Sequence, residues 1–102
     1  MIIKVSSDLE DILPKYLQNR KQEVEELKSF LANKDFESLK VRGHRLAGNA
    51  PSYGMELLGS LGVKIEADAK REDLSNMGDY IQEIEEFLIQ VEVEYVDDDE
   101  DW

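Results

Sequence analysis

The stretch that decides the fold is Phe36-Glu37-Ser38-Leu39-Lys40-Val41-Arg42-Gly43-His44-Arg45-Leu46-Ala47-Gly48-Asn49-Ala50-Pro51. Phe36, Leu39, Gly43, Leu46 and Ala50 recur at three- and four-residue spacing, the period of a helix with one buried face. Pro51 ends that helix or breaks its last turn. At about 100° per residue the five positions share one direction, and His44 points about 130° away from it. The chain's single histidine is therefore expected on the outer surface and not in the core.

The residues one helical turn from His44 are Lys40, Val41, Ala47 and Gly48. A solvated helix face would carry long charged side chains at such positions, yet three of the four are small or apolar. A glycine inside a helix costs about 1 kcal/mol relative to alanine, and the plausible gain is close approach of another body. Lys40, Arg42 and Arg45 rim the cleared patch, and between residues 34 and 50 four basic side chains outweigh Asp35 and Glu37. The composite suits a partner that presents an acidic, phosphorylated site. The bland alternative is a lone surface histidine that does nothing.

Working outward, the same period continues on both sides. Leu13, Leu17, Arg20, Val24, Leu27 and Leu31, widened by Tyr16 and Phe30, predict a first helix over 10–32. The decisive stretch gives a second over 35–50. Met55, Leu58, Leu61, Gly62, Ile65 and Ala69 predict a third over 54–70, and Met77, Ile81, Ile84, Leu88, Val91 and Tyr95 a fourth over 75–95. Strand-like alternation is not read anywhere. Short connections between amphipathic helices force antiparallel neighbours. The expected fold is all-α, an antiparallel up-down-up-down four-helix bundle over 1–96, followed at 97–102 by an acidic, disordered tail.

The 102 residues carry a formal charge of −12 and no cysteine. This length allows one domain. The missing cysteine excludes a disulfide framework, a thiolate zinc site and a cysteine nucleophile. The acidity argues against nucleic acid and anionic membrane as partners, because both need a cationic face. No apolar run is long enough to span a bilayer and Met1–Val5 is too short for a signal segment, so a cytoplasmic protein is expected. No glycine-rich phosphate loop is present, and one histidine without cysteine builds no ordinary zinc site, so neither an ATP site nor a metal is expected. Asp97-Asp98-Asp99-Glu100-Asp101 lacks the glycine and spaced ligands of a calcium loop.

His44-Arg45-Leu46-Ala47-Gly48-Asn49-Ala50-Pro51-Ser52-Tyr53-Gly54 resembles the signature of histidine-containing phosphotransfer (HPt) domains, with His44, Leu46, Gly48, Ala50 and Gly54 in matching places. The likeness continues through Leu58, Gly62 and Ile65-Glu66, and upstream through Pro14-Lys15-Tyr16-Leu17, Arg20 and Asp35–Leu39, covering about residues 9–92. It implies that His44 accepts a phosphoryl group on Nε2 and that Glu66 bonds the other ring nitrogen and orients the imidazole. It implies docking of a partner over Lys40, Val41, Arg45, Ala47, Gly48 and Pro51, with Tyr53 and Leu57 as further candidates. The implied partners are a response-regulator receiver domain or a histidine kinase, met by a monomer. The chain would be a phosphotransfer intermediate without kinase activity, with Mg²⁺ held by the receiver. The family usually has a lysine where this chain has Ala47, and Arg45 or Lys40 is expected to supply a cation in its stead.

His44 lies about eight residues before the turn and Glu66 about twelve after it, which leaves them about one helical turn, or roughly 5–6 Å, out of register. Helix offset or tilt must absorb that. Two rival readings stand beside the phosphotransfer one. The first is an acidic helical adaptor that binds a receiver or kinase with His44 unphosphorylated. The second is a cation-buffering or nucleic-acid-mimicking acidic protein. The initiating Met and acidic end suggest a free-standing chain, but a domain excised from a hybrid kinase would look similar.

Overall fold

The computed structural model describes residues 1–97. Beyond Asp97 the expected acidic tail lies outside the described residues. Four helices carry the fold: α1 (Leu13–Ala32), α2 (Phe36–Asn49), α3 (Glu56–Lys70) and α4 (Met77–Gln90). Pro14 lies in the first turn of α1, where a missing N–H is harmless. Asp35 caps α2, accepting from the Ser38 amide at 3.1 Å and the Ser38 hydroxyl at 2.7 Å. Those two bonds hold its carboxyl below the ordinary aspartate range. Leu13, Val24, Leu39, Leu58, Leu61, Ile65 and Met77 are almost wholly buried and form the centre of the core.

The all-α expectation is corrected at the two ends. Ile2–Ser6 forms β1 and Glu92–Val96 forms β2, paired in parallel from Ile2 opposite Glu92 to Ser6 opposite Val96. The fourth helix stops at Gln90 instead of running to residue 95. The misreading has a simple cause. Val91 and Tyr95 continue the helical spacing of Leu88, but the same segment also alternates Val93 and Tyr95 with Glu92 and Glu94, at a strand's period of two. Its β-branched and aromatic residues favour the second pattern. Ile3, Val93 and Tyr95 pack on the core with buried Val5, while Lys4, Glu92 and Glu94 are exposed.

Polar and apolar contacts tie neighbouring helices together. Between α1 and α2, the Tyr16 hydroxyl donates to Asn49 Oδ1 at 2.5 Å, and Arg42 reaches back to Glu26 at 3.0 Å. Between α1 and α4, Lys28 pairs with Glu85 at 2.8 Å, while Leu31 approaches Gly78. Between α3 and α4, buried Asp68 accepts from the Tyr80 hydroxyl at 2.9 Å and pairs with Arg71. The bond to Asp68 raises the Tyr80 phenol above its ordinary value, and burial adds to this.

The α2–α3 pair is the tightest. A Cβ placed on Gly43 would lie 2.7 Å from the Glu66 backbone nitrogen and 2.8 Å from the Gly62 carbonyl oxygen. One on Gly62 would lie 2.6 Å from the Ala47 nitrogen and 2.7 Å from the Gly43 oxygen. The helices touch backbone to backbone, which only hydrogen in place of a side chain permits. Gly48 differs: a Cβ there meets nothing within 4 Å.

The two kinds of glycine predict opposite outcomes in urea denaturation. Gly43→Ala should destabilise by about 1–3 kcal/mol or more, because rigid backbone must move apart. Gly48→Ala should stabilise by about 1 kcal/mol through helix propensity alone. Equal effects at both positions would show that the glycines do not set the helix separation.

Candidate functional site

His44 lies on the surface of α2 with 74% of its side chain exposed, in the direction the helical period predicts. Its Nδ1 is 3.0 Å from Glu66 Oε2 on α3. An ionised carboxylate only accepts, so Nδ1 carries the proton in this contact and Nε2 holds the free lone pair. Nε2 has no partner among the described residues. The tautomer and the aim of the ring are thus set by one side chain from the neighbouring helix.

The register problem narrows in the connection. Pro51 breaks the last turn as expected: α2 stops at Asn49, Ala50–Tyr53 carry the rod on as a 3₁₀ turn, and the chain reverses at Gly54, whose φ of 78° is left-handed. A 3₁₀ turn rises about 2.0 Å per residue against 1.5 Å for an α-helix, which lengthens the first arm. Counted from Gly54, His44 lies ten residues before and Glu66 twelve after, and the longer 3₁₀ rise narrows the remaining difference. Gly54 therefore matters for conformation, and Gly59 for space, since a Cβ on it would press the Pro51 ring at 2.8 Å.

Along α2 one turn from His44, Gly48 is exposed and without a side chain while Val41 and Ala47 are half-buried; Pro51, a further turn on, is exposed with its ring against Gly59. Val63, one turn before Glu66 on α3, is apolar and 57% exposed, and adds to the same side-chain-poor surface. It escaped the sequence reading because its helix was read for its buried stripe. The cations divide differently from expectation. Lys40 is half-buried and paired with Glu37 at 3.0 Å. Arg42 turns away from the patch to Glu23 at 3.4 Å and Glu26 at 3.0 Å, lying over the Phe30 ring. The Glu26 bond raises its guanidinium further above the ordinary value. Arg45 is exposed. Lys70, which the sequence reading did not place at the site, reaches Glu66 Oε2 at 3.5 Å. Its signal was the four-residue Glu66–Lys70 spacing.

Two further candidates sit elsewhere. Tyr53 is half-buried and stacks on Tyr16 with ring centroids 4.0 Å apart, so it ties the 3₁₀ turn to α1. Burial raises the Tyr16 phenol above its ordinary value. Leu57 is exposed and borders a hollow with Met1 and Phe87 towards α4, on the other flank of α3 from Glu66. Among the described residues no three histidine or acidic side chains converge as metal ligands, and no helix is long and apolar enough to cross a membrane.

Comparison with protein-family models, curated proteins and solved structures found no match.

The contact between Glu66 and His44 is open to a direct check. Nitrogen-detected NMR of the imidazole should find the Nδ1–H tautomer dominant in the wild type, with Glu66→Ala shifting the ring towards Nε2–H. A tautomer indifferent to Glu66→Ala would remove the orienting role.

Proposed function

We propose that this chain is a histidine phosphotransfer protein of the kind its sequence resembles. It would relay a phosphoryl group through His44 between receiver-domain aspartates, or from a kinase, in a cytoplasmic phosphorelay. The observation that carries the reading is the pairing of two facts at one ring: Nδ1 is held by Glu66, and Nε2, with no partner among the described residues, belongs to a ring 74% exposed on a helix whose neighbouring turns carry exposed Gly48 and Pro51. An imidazole is largely neutral and nucleophilic near pH 7.

In the proposed step the Nε2 lone pair attacks the phosphorus of a partner's aspartyl phosphate. The N–P bond forms as the P–O bond to the carboxylate breaks, and the carboxylate leaves with that electron pair. The ring keeps its proton on Nδ1 and becomes cationic, a charge that Glu66 opposes at 3.0 Å. The same bonds made and broken in reverse return the group to a second receiver. In-line geometry requires both partners to come close to the ring, which the bare residues at 48 and 51 allow. Mg²⁺ would be the receiver's, and no kinase activity of the chain itself is part of this reading.

The contact series between neighbouring helices supports an up-down-up-down arrangement of α1 to α4. Tyr16 with Asn49, followed by Glu26 with Arg42, runs in opposite senses along α1 and α2. Gly43 with Glu66, followed by Pro51 with Gly59, does the same along α2 and α3.

Incubation with a phosphorylated receiver should give an acid-labile, alkali-stable label that His44→Gln abolishes. Gly48→Gln should leave labelling by a small donor such as phosphoramidate intact while reducing receiver-dependent transfer at least about tenfold, the effect of roughly 1.4 kcal/mol at the encounter. Absence of label with several receivers, kinases and phosphoramidate would favour the adaptor reading. Normal receiver transfer by Gly48→Gln would defeat the close-approach argument.

A further inference from the structure

A phosphoryl group on Nε2 adds about two negative charges to a surface where Glu66 already lies 3.0 Å from the other ring nitrogen. A cation within reach is needed to balance them. Five basic residues lie on α2 and α3, and the geometry separates them: Lys64 turns to the Tyr80 ring on α4, 6.0 Å from its centroid. Arg42 is committed to Glu23 and Glu26 on α1. Lys40 pairs with Glu37 on its own helix at 3.0 Å, a shorter contact than Lys70 makes and one that shares no atom with the His44 ring. Gly43 and Ala47 form the edge of α2 that meets α3, and Arg45 lies about 180° around the helix from that edge.

Lys70 is placed otherwise. Its Nζ is 3.5 Å from Glu66 Oε2, the same oxygen that His44 Nδ1 meets at 3.0 Å. The side chain is 60% exposed, and it borders an open cleft of about 480 Å³ that is also lined by Lys34, Lys40, Asp35, Glu37 and Glu72. Glu66 is the more enclosed partner, with 21% of its side chain exposed, and it is anchored by the ring.

We propose that Lys70 is the mobile cation of the site: it rests on Glu66 while His44 is free and moves to the phosphoryl oxygens when Nε2 is loaded. The inference rests on the phosphotransfer reading and names a component of that site. An exposed ammonium–carboxylate pair is weak and exchanges readily, whereas a phosphoryl group offers more charge and three acceptor oxygens to the same ammonium. Glu66 is not left unpaired by the exchange, because it keeps the Nδ1–H of a ring that has become cationic. The phosphoryl dianion then stands between Lys70 and the ring, and the site needs no base at position 47.

Lifetimes of the loaded protein test this. Wild type, Lys70→Met, Lys70→Arg and Arg45→Met are labelled with phosphoramidate, freed of donor, and followed by phosphorus NMR. Lys70→Met should lose phosphohistidine about two- to fivefold faster, the scale of one exposed ion pair. Lys70→Arg should restore the wild-type rate, Arg45→Met should match wild type, and high salt should narrow the Lys70→Met difference. A Lys70→Met lifetime equal to wild type, or a loss that follows Arg45→Met instead, would overturn the assignment while leaving phosphotransfer standing. A wild type that takes no label where His44→Gln also takes none would overturn both.

Discussion

Everything at the histidine depends on how closely two helices approach. Gly43 and Gly62 let α2 and α3 pack backbone on backbone, with atoms under 3 Å from where a Cβ would stand. Side chains at either position would push the axes apart towards ordinary separations of about 8–10 Å, set by what fills the contact. The carboxylate of Glu66 has only a short arm, and its own backbone nitrogen sits against Gly43, the residue before His44. Orientation of the ring is therefore a consequence of packing, transmitted from two missing side chains to one hydrogen bond. A site mounted this way is preorganised by rigid elements.

The rest of the bundle serves that contact indirectly. Arg42, Glu23 and Glu26 bind α2 to α1 on the flank away from α3, and Tyr16 holds both Asn49 and the Tyr53 ring. The 3₁₀ turn that sets the register is thereby pinned at its far end. At the opposite end of α3, Asp68 is buried with Tyr80 and Arg71 as partners, which satisfies a carboxylate that would otherwise be expensive to enclose. Polar groups fix the helix ends, and apolar ones fill the space between.

Much of this was legible in the residues before any geometry. The helical period exposed four amphipathic segments, and the wheel around Phe36–Ala50 placed His44 outward, because both follow from local spacing. The strands were not legible, since Val91 and Tyr95 satisfy two periods at once and only pairing with Ile2–Ser6 decides between them. Pairing is a non-local fact. The His44–Glu66 register failed for a related reason: Pro51 reads as a stop or a broken last turn, and nothing local says that a 3₁₀ turn carries the rod on to Gly54. Arg42 was read by position as part of the rim, but its long side chain follows Glu26 on another helix. For flexible cations, place on a wheel says little about where the charge ends up.

The pairing of β1 with β2 has a mechanical meaning. The strands run parallel, so tension applied through Ile2 and Val96 pulls them in opposite directions along their length. Backbone hydrogen bonds lie across such a load and share it, whereas bonds loaded in line break one after another. The small sheet acts as a shear clasp: traction on the two ends would be borne there first, and the helices that carry His44 and Glu66 would stay out of the path of force until the clasp gave way.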